Sequence, residues 1–209
     1  MSEATRQVPE DSIGLFGGRF DPVHRAHLHM AQAAADQLGL LQIRWLVTGA
    51  PVHKPAQAAA RHRLKMTALA LEELSDPRMQ LDDREVLAAE LGESNATYIT
   101  IQSIQHDFPG RPLIWLLGQD QFAHFTQWQH WDWLIHNMAL AVFARPGAPE
   151  CSDQALLREQ GATLLPVRMP PDEVSSTQIR EALHEGVLPS GLLPSRVADY
   201  IAQHHLYSS

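Results

Sequence analysis

The segment Gly17-Gly18-Arg19-Phe20-Asp21-Pro22-Val23-His24-Arg25-Ala26-His27 joins the end of an apolar run to the start of an alanine-rich one. Two glycines let the backbone turn and approach a ligand closely, a freedom that a purely structural turn rarely needs twice. Asp21-Pro22 sets a turn. His24 and His27, three residues apart, share one face of a helix's first turn. The first N–H groups of such a helix lack intrahelical acceptors, and the positive end of its dipole lies there too. Imidazoles beside those amides suit phosphate oxygens. His24, His27 and His29 also permit a zinc reading, but no cysteine accompanies them and no third ligand stands at a recognisable spacing. The pattern is neither the G-x-G-x-x-G dinucleotide fingerprint nor the G-K-[ST] of a P-loop.

Those residues need a strand to deliver them and a helix to hold them. Ser12–Phe16 reads as a buried strand, and Ala26–Leu38, closed by Gly39, as a helix. Further strands are expected at Ile43–Val47, Met79–Leu81, Leu113–Leu117, Met138–Phe143 and Thr163–Val167. Helices are expected at Arg61–Leu74, Ser176–Glu185 and Ser195–His204. Tyr98–His106 stays ambiguous, because its spacing allows a helix while its β-branched residues argue against one. Strand, helix, strand at this spacing predicts an α/β fold, a Rossmann-like and mainly parallel sheet with helices on both faces. The chain, residues 1–209, is expected to form one domain: an α/β core over residues 12–168, and a small C-terminal helical appendage over 169–209.

Composition narrows the ligand class. The chain has 209 residues, with 16 Lys+Arg against 24 Asp+Glu and a formal charge of −8. That balance argues against polymeric nucleic acid, whose binding rewards clustered cations, yet leaves room for a small anion held locally. The longest clean apolar stretch, Met138–Ala144, is seven residues, far short of the roughly 20 that span a bilayer. No membrane association is expected. One cysteine, Cys151, and a polar, acidic N-terminus without a secretory apolar segment give a cytoplasmic expectation.

Taken together, GGxFDPxHxxH and the later string Val174-Ser175-Ser176-Thr177-Gln178-Ile179-Arg180 resemble the two signatures of the HxGH nucleotidylyltransferase superfamily. Within it, the chain resembles the bacterial nicotinate-nucleotide adenylyltransferase family. The likeness runs from Ile13 to Leu206 and includes Leu117-Gly118-Gln119-Asp120, the Trp128 segment, Arg145-Pro146-Gly147 and the terminal YIAQHHLY.

That resemblance implies transfer of an adenylyl group from ATP to nicotinate mononucleotide, releasing pyrophosphate. The attacking group is a phosphate that is already anionic, so no general base is needed and Cys151 has no chemical part. Alignment of two repelling anions and stabilisation of the leaving pyrophosphate are what the protein must supply. By resemblance, His24, His27 and Arg180 are catalytic, and Gly17, Gly18, Phe20, Asp120, Ser176 and Thr177 join them around ATP. His53, Lys54, Thr100 and Trp128 would hold the mononucleotide, with Trp128 stacking on the pyridine. Mg²⁺ would ride mainly on the ATP phosphates, without a dedicated protein metal site. Nearby polyphosphate is expected to raise the histidine pKa values.

Other readings of the same residues stand beside these. Ser176 and Thr177 are good helix caps, and Asp120 equally suits capping the next helix. Trp115, Trp131 and Trp133 suit core or rim packing. Against the family pattern, Arg19 replaces a hydroxyl, Ala26 replaces the glycine of HxGH, Val47-Thr48 replaces Pro-Asn and Val52 replaces a proline. The S-Y-T string is disturbed around Thr97–Thr100 and fits in two registers. The alternatives are an enzyme using nicotinamide mononucleotide or another phosphorylated acceptor, and a nucleotide-binding module without efficient catalysis.

Overall fold

Six short runs, too apolar for the surface and too short for core helices, form the strands. They are β1 (Ile13–Gly18), β2 (Ile43–Val47), β3 (Met79–Asp82), β4 (Leu113–Gly118), β5 (Ala139–Phe143) and β6 (Leu164–Val167). The computed structural model describes residues 8–50, 56–143, 153–169, 174–189 and 191–208. Its sheet has the order β3-β2-β1-β4-β5-β6 and is parallel throughout. Winding reverses between β1 and β4, the point where open α/β sheets gather ligands outside the strands' carboxyl ends. Gly17-Gly18 end β1 and Gly118 ends β4, so both arrive at that crevice.

The helices follow in chain order. α1 (Arg25–Leu38) and α2 (Ala60–Leu74) separate the first three strands. α3 (Arg84–Glu90) and α4 (Thr97–Asp107) lead into β4. The short α5 (Gln119–Phe122), a 3-10 turn at Phe125–Gln127 and α6 (Trp131–Asn137) lead into β5. α7 (Gln154–Glu159) precedes β6, and α8 (Ser176–His184) and α9 (Ser195–Gln203) follow it. Among the described residues no helix is long and apolar enough to cross a membrane.

Alternation along the strands builds two cores, one on each sheet face. Phe16, Trp45 and Leu116 join Ala31 and Ala35 of α1, Met66 of α2, Ile179 of α8 and Ile201 of α9. Leu15, Leu46 and Trp115 join Ile101 and Ile104 of α4 and Leu134 and Ile135 of α6. The ambiguous 98–106 stretch is therefore helical. Thr100, Ile101 and Ile104 are its buried residues, a spacing of three and four that gives one apolar stripe, and packing overrides the β-branched preference. The short helices α3, α5, α6 and α7 were not expected, because four to seven residues complete too few turns to show a period.

Candidate active site

The glycine pair does something other than turn the chain. Gly17 and Gly18 are the last residues of β1, in extended conformation. A Cβ on Gly17 would stand 2.4 Å from the Trp115 ring, and one on Gly18 would stand 2.9 Å from the Phe20 ring. Glycine is thus required by two aromatic rings lying across the strand end, one on each face. The turn is made instead by Phe20, a buried residue in the left-handed region at φ 48°, a conformation uncommon for a non-glycine residue. Its ring also meets His27 edge-on at 5.1 Å.

His24 is the residue before α1 and His27 lies in its first turn. Their rings stack with centroids 3.7 Å apart and planes 30° apart. The His24 N–H donates to His27 Nδ1 at 3.3 Å. Acceptance there puts the remaining ring proton on Nε2, a donor suited to a phosphate oxygen. Burial, and then the neighbouring His24, hold His27 well below the ordinary imidazole pKa of 6.5. The rise expected from sequence is the effect of polyphosphate on the imidazoles, and burial and the neighbouring ring act against it. His29 is exposed on α1, and among the described residues no three His, Cys, Asp or Glu side chains are grouped to hold a metal ion.

On α8 the capping alternative belongs to a neighbour. Ser175, not Ser176 or Thr177, precedes the helix and accepts from the Gln178 N–H, while its own N–H donates to the Gln178 side chain. Ser176 and Thr177 are released for other contacts. Ser176 Oγ donates to the Pro22 carbonyl at 3.0 Å. Arg180 is buried and donates to the Asp21 carbonyl at 2.7 Å and to Thr177 Oγ1 at 3.3 Å. Its buried Nε–H finds no protein acceptor among the described residues, an arrangement that favours an anionic ligand.

These elements enclose one cavity of about 360 Å³, within the range of small-ligand sites. Gly17, Gly18, Phe20, His24, His27, Asp120, Ser176, Thr177 and Arg180 all line it, together with Arg19, Ala26, Gln119 and Gln121. Asp120 does not cap α5, since Gly118 holds that position. The Ala26 methyl is buried in the wall where the superfamily signature has a glycine.

A cytidylyltransferase-like family model matches residues 15–182. The "Probable nicotinate-nucleotide adenylyltransferase" of Bordetella petrii is 38% identical over 199 residues, covering 93% of this chain and 98% of the relative. A protein of the same name from Laribacter hongkongensis is 38% identical over 97% of each chain. The chain belongs to the nicotinate-nucleotide adenylyltransferase family. A solved structure of Plasmodium falciparum nicotinic acid mononucleotide adenylyltransferase complexed with NaAD shares the fold, with a TM-score of 0.76 at 18% identity over 94% of this chain and 97% of that one.

Thr100 and Trp128, expected from sequence on the acceptor side, are not among the residues that line the cavity. His53 and Lys54 lie outside the described residues, as do Arg145-Pro146-Gly147 and Cys151. Thr100 is buried, away from the cavity wall, and donates to Glu85 Oε1 at 2.9 Å. Trp128 is half-buried and packs edge-on against Trp115 at 5.9 Å and tilted against Phe125 at 5.1 Å. Trp115 is a core residue, and its ring reaches from Gly17 to Trp128.

Four residues near the site have partners that the sequence does not announce. Buried Glu85 sits under Thr100, and burial pushes its carboxyl up to about 7 from 4.5, against the pull of the Thr100 and Thr48 hydroxyls. Arg63, also buried, donates to the carbonyls of Arg19, Gly49 and Ala58 at 2.7, 3.0 and 3.1 Å. The Asp21 carboxylate accepts from the backbone N–H of Gln57 and Ala58 and from the Tyr207 hydroxyl. An arginine on a helix and an acid before a proline carry no local signal of such long-range partners.

Proposed function

We propose that this chain transfers the adenylyl group of ATP to nicotinate mononucleotide, giving the deamido dinucleotide and pyrophosphate. One observation carries this reading: the ATP-side candidates come from three separate stretches and line one cavity at the β1–β4 switch point. An oxygen of the mononucleotide phosphate attacks the α-phosphorus of ATP in line, and the bond to the bridging α–β oxygen breaks. Charge then builds on the departing pyrophosphate. His24, His27 and Arg180 donate to its oxygens, and Ser176 and Thr177 line the same end. Because the stacked imidazoles resist carrying two positive charges, arrival of the triphosphate draws a proton onto the pair.

The donor set fits a magnesium ion carried on substrate. Asp120 is an exposed carboxylate of the cavity, whereas the Asp21 carboxylate is turned to backbone amides. Mg²⁺ on the ATP phosphates, its water shell held by Asp120, would neutralise phosphate repulsion and stabilise the leaving group. On the acceptor side, Trp128 supplies an aromatic face for the pyridine, His53 and Lys54 hold the mononucleotide phosphate, and Thr100 shapes the pyridine end from beneath.

The test is pyrophosphate release with ATP, Mg²⁺ and nicotinate mononucleotide, run in parallel with nicotinamide mononucleotide. Turnover with a higher kcat/KM for the acid supports the assignment. Equal values for the two acceptors would sink the acid-specific reading. Binding of ATP without turnover on either would leave a nucleotide-binding module.

A further inference from the structure

Asp21 lies where four parts of the chain meet. Its Oδ2 accepts from the Gln57 N–H at 2.8 Å, and its Oδ1 from the Ala58 N–H at 3.1 Å. The same Oδ1 accepts from the Tyr207 hydroxyl at 2.7 Å, across 186 positions of sequence. Its backbone carbonyl receives Arg180 Nη1 at 2.7 Å. Asp21 is 2% exposed, so these protein donors stand in for water.

The tail that brings Tyr207 here is itself anchored. Glu73 on α2 accepts from the Ser195 N–H, the Ser195 hydroxyl and the Arg196 N–H at the start of α9. Val197 and Ile201 of α9 are buried against the core. Beyond α9 the chain bends through His205 and Tyr207, both in the left-handed region at φ 52° and 65°. Burial, and then the Asp21 carboxylate, push the Tyr207 hydroxyl above its ordinary pKa, so it remains a donor. Nearby, Arg63 bonds the carbonyls of Arg19 and Ala58 and so ties together the same two segments.

We propose that Tyr207 and Asp21 are a positioning pair that locks the phosphate-binding loop against residues 56–58, and so sets the spacing between the ATP and acceptor halves of the site. The inference rests on the adenylyltransferase reading. Gln57 and Ala58 stand three and four positions after Lys54 in sequence, and the Asp21 carboxylate anchors both of their amides. The same aspartate fixes Arg180 through its carbonyl. An in-line reaction between two bound anions is sensitive to such spacing even when each substrate still binds. The C-terminal residues thereby take part in turnover without touching substrate.

Tyr207→Phe removes one hydroxyl and keeps the ring, and two measurements test it. Amide hydrogen exchange at Gln57 and Ala58 is expected to accelerate by roughly tenfold as Asp21 loses its third partner. The kcat is expected to fall by roughly tenfold or more, with the KM values for ATP and mononucleotide each changing by less than about threefold. Unchanged exchange at Gln57 and Ala58 would overturn the proposal, as would unchanged kcat. Should Tyr207→Phe give no folded protein, Asp21→Asn, which leaves one acceptor oxygen, is read by the same exchange measurement with the same expected and contrary results. If the wild-type chain shows no adenylyl transfer but exchange accelerates in the variant, the lock stands and the functional reading falls.

Discussion

Residues 17–27 and 175–180 converge on one cavity, whereas Thr100 and Trp128, the described residues expected on the acceptor side, are engaged by Glu85 and Trp115. In the first region the polar groups are held from behind. Ser175 caps α8 so that Ser176 and Thr177 need not, and the Asp21 and Pro22 carbonyls accept from Arg180 and Ser176 and so fix where those side chains stand. In the second, the Thr100 hydroxyl is committed to Glu85, and Trp128 leans on the ring that fills the space over Gly17. The contrast shows two ways of preorganising a site. One presents donors to a ligand of fixed charge, and the other builds a shaped wall from packed side chains. Triphosphate is common to every acceptor the enzyme could use, so its half depends on charge. Under the proposed reaction the acceptor's half must tell a ring carboxylate from a ring amide.

The contrast breaks most sharply at His24. His24→Ala is expected to lower kcat by roughly 10²–10³-fold, the scale of losing one donor to a developing oxyanion. Steady-state rates measured beside thermal melts check this, since the account expects much less effect on stability. An unchanged kcat would remove His24 from phosphate chemistry.

Glu85 probes the other half through pH. Its carboxyl is raised from 4.5 to about 7, so the unfolded chain loses that proton at lower pH than the folded one. Stability from this group is therefore full below pH 4.5 and is lost as pH climbs towards about 7, by about 3 kcal/mol. Glu85→Gln should flatten that slope in urea denaturation series run across this range. A slope identical to wild type would mean that the Glu85 carboxyl is not raised in the folded chain.

Gly17→Ala tests the junction between the halves. Its new methyl meets the Trp115 ring, and overpacking of this kind costs about 1–3 kcal/mol. Because Trp115 touches Trp128, the KM for the mononucleotide should rise more than the KM for ATP; the reverse order would place Trp115 on the ATP side. Ala26→Gly is the mildest change. Glycine inside a helix loses about 1 kcal/mol, and kcat should move by less than about fivefold, a shift of about 1 kcal/mol. A larger change in kinetic assays would show that the methyl crowds the nucleotide.

The sheet was legible because its strands carry uninterrupted apolar runs such as LIWLL, which have few other places to go in a chain of this size. The first stretch of the cavity was legible for a related reason: Gly17 to His27 are contiguous, in a strand–turn–helix order that fixes their relative placement. Thr100 illustrates the opposite case. The S-Y-T register is unsettled in sequence, and only the fold of α4 puts the hydroxyl on Glu85, fifteen positions earlier in the chain. Gly17 lines the cavity, yet what requires a glycine there is a tryptophan arriving from β4, which no local pattern announces. Asp21 and Tyr207 meet across almost the whole sequence, and no spacing rule reaches that far.

Under the proposed function, the stacked imidazoles and Arg180 grip the triphosphate at the end of β1. A crystal structure with Mg²⁺ and a non-hydrolysable ATP analogue tests it most directly. Phosphate oxygens are expected within hydrogen-bond distance of His24, His27 and the Arg180 guanidinium. Phosphates bound elsewhere, with both imidazoles turned to solvent or packed only against Phe20, would contradict it.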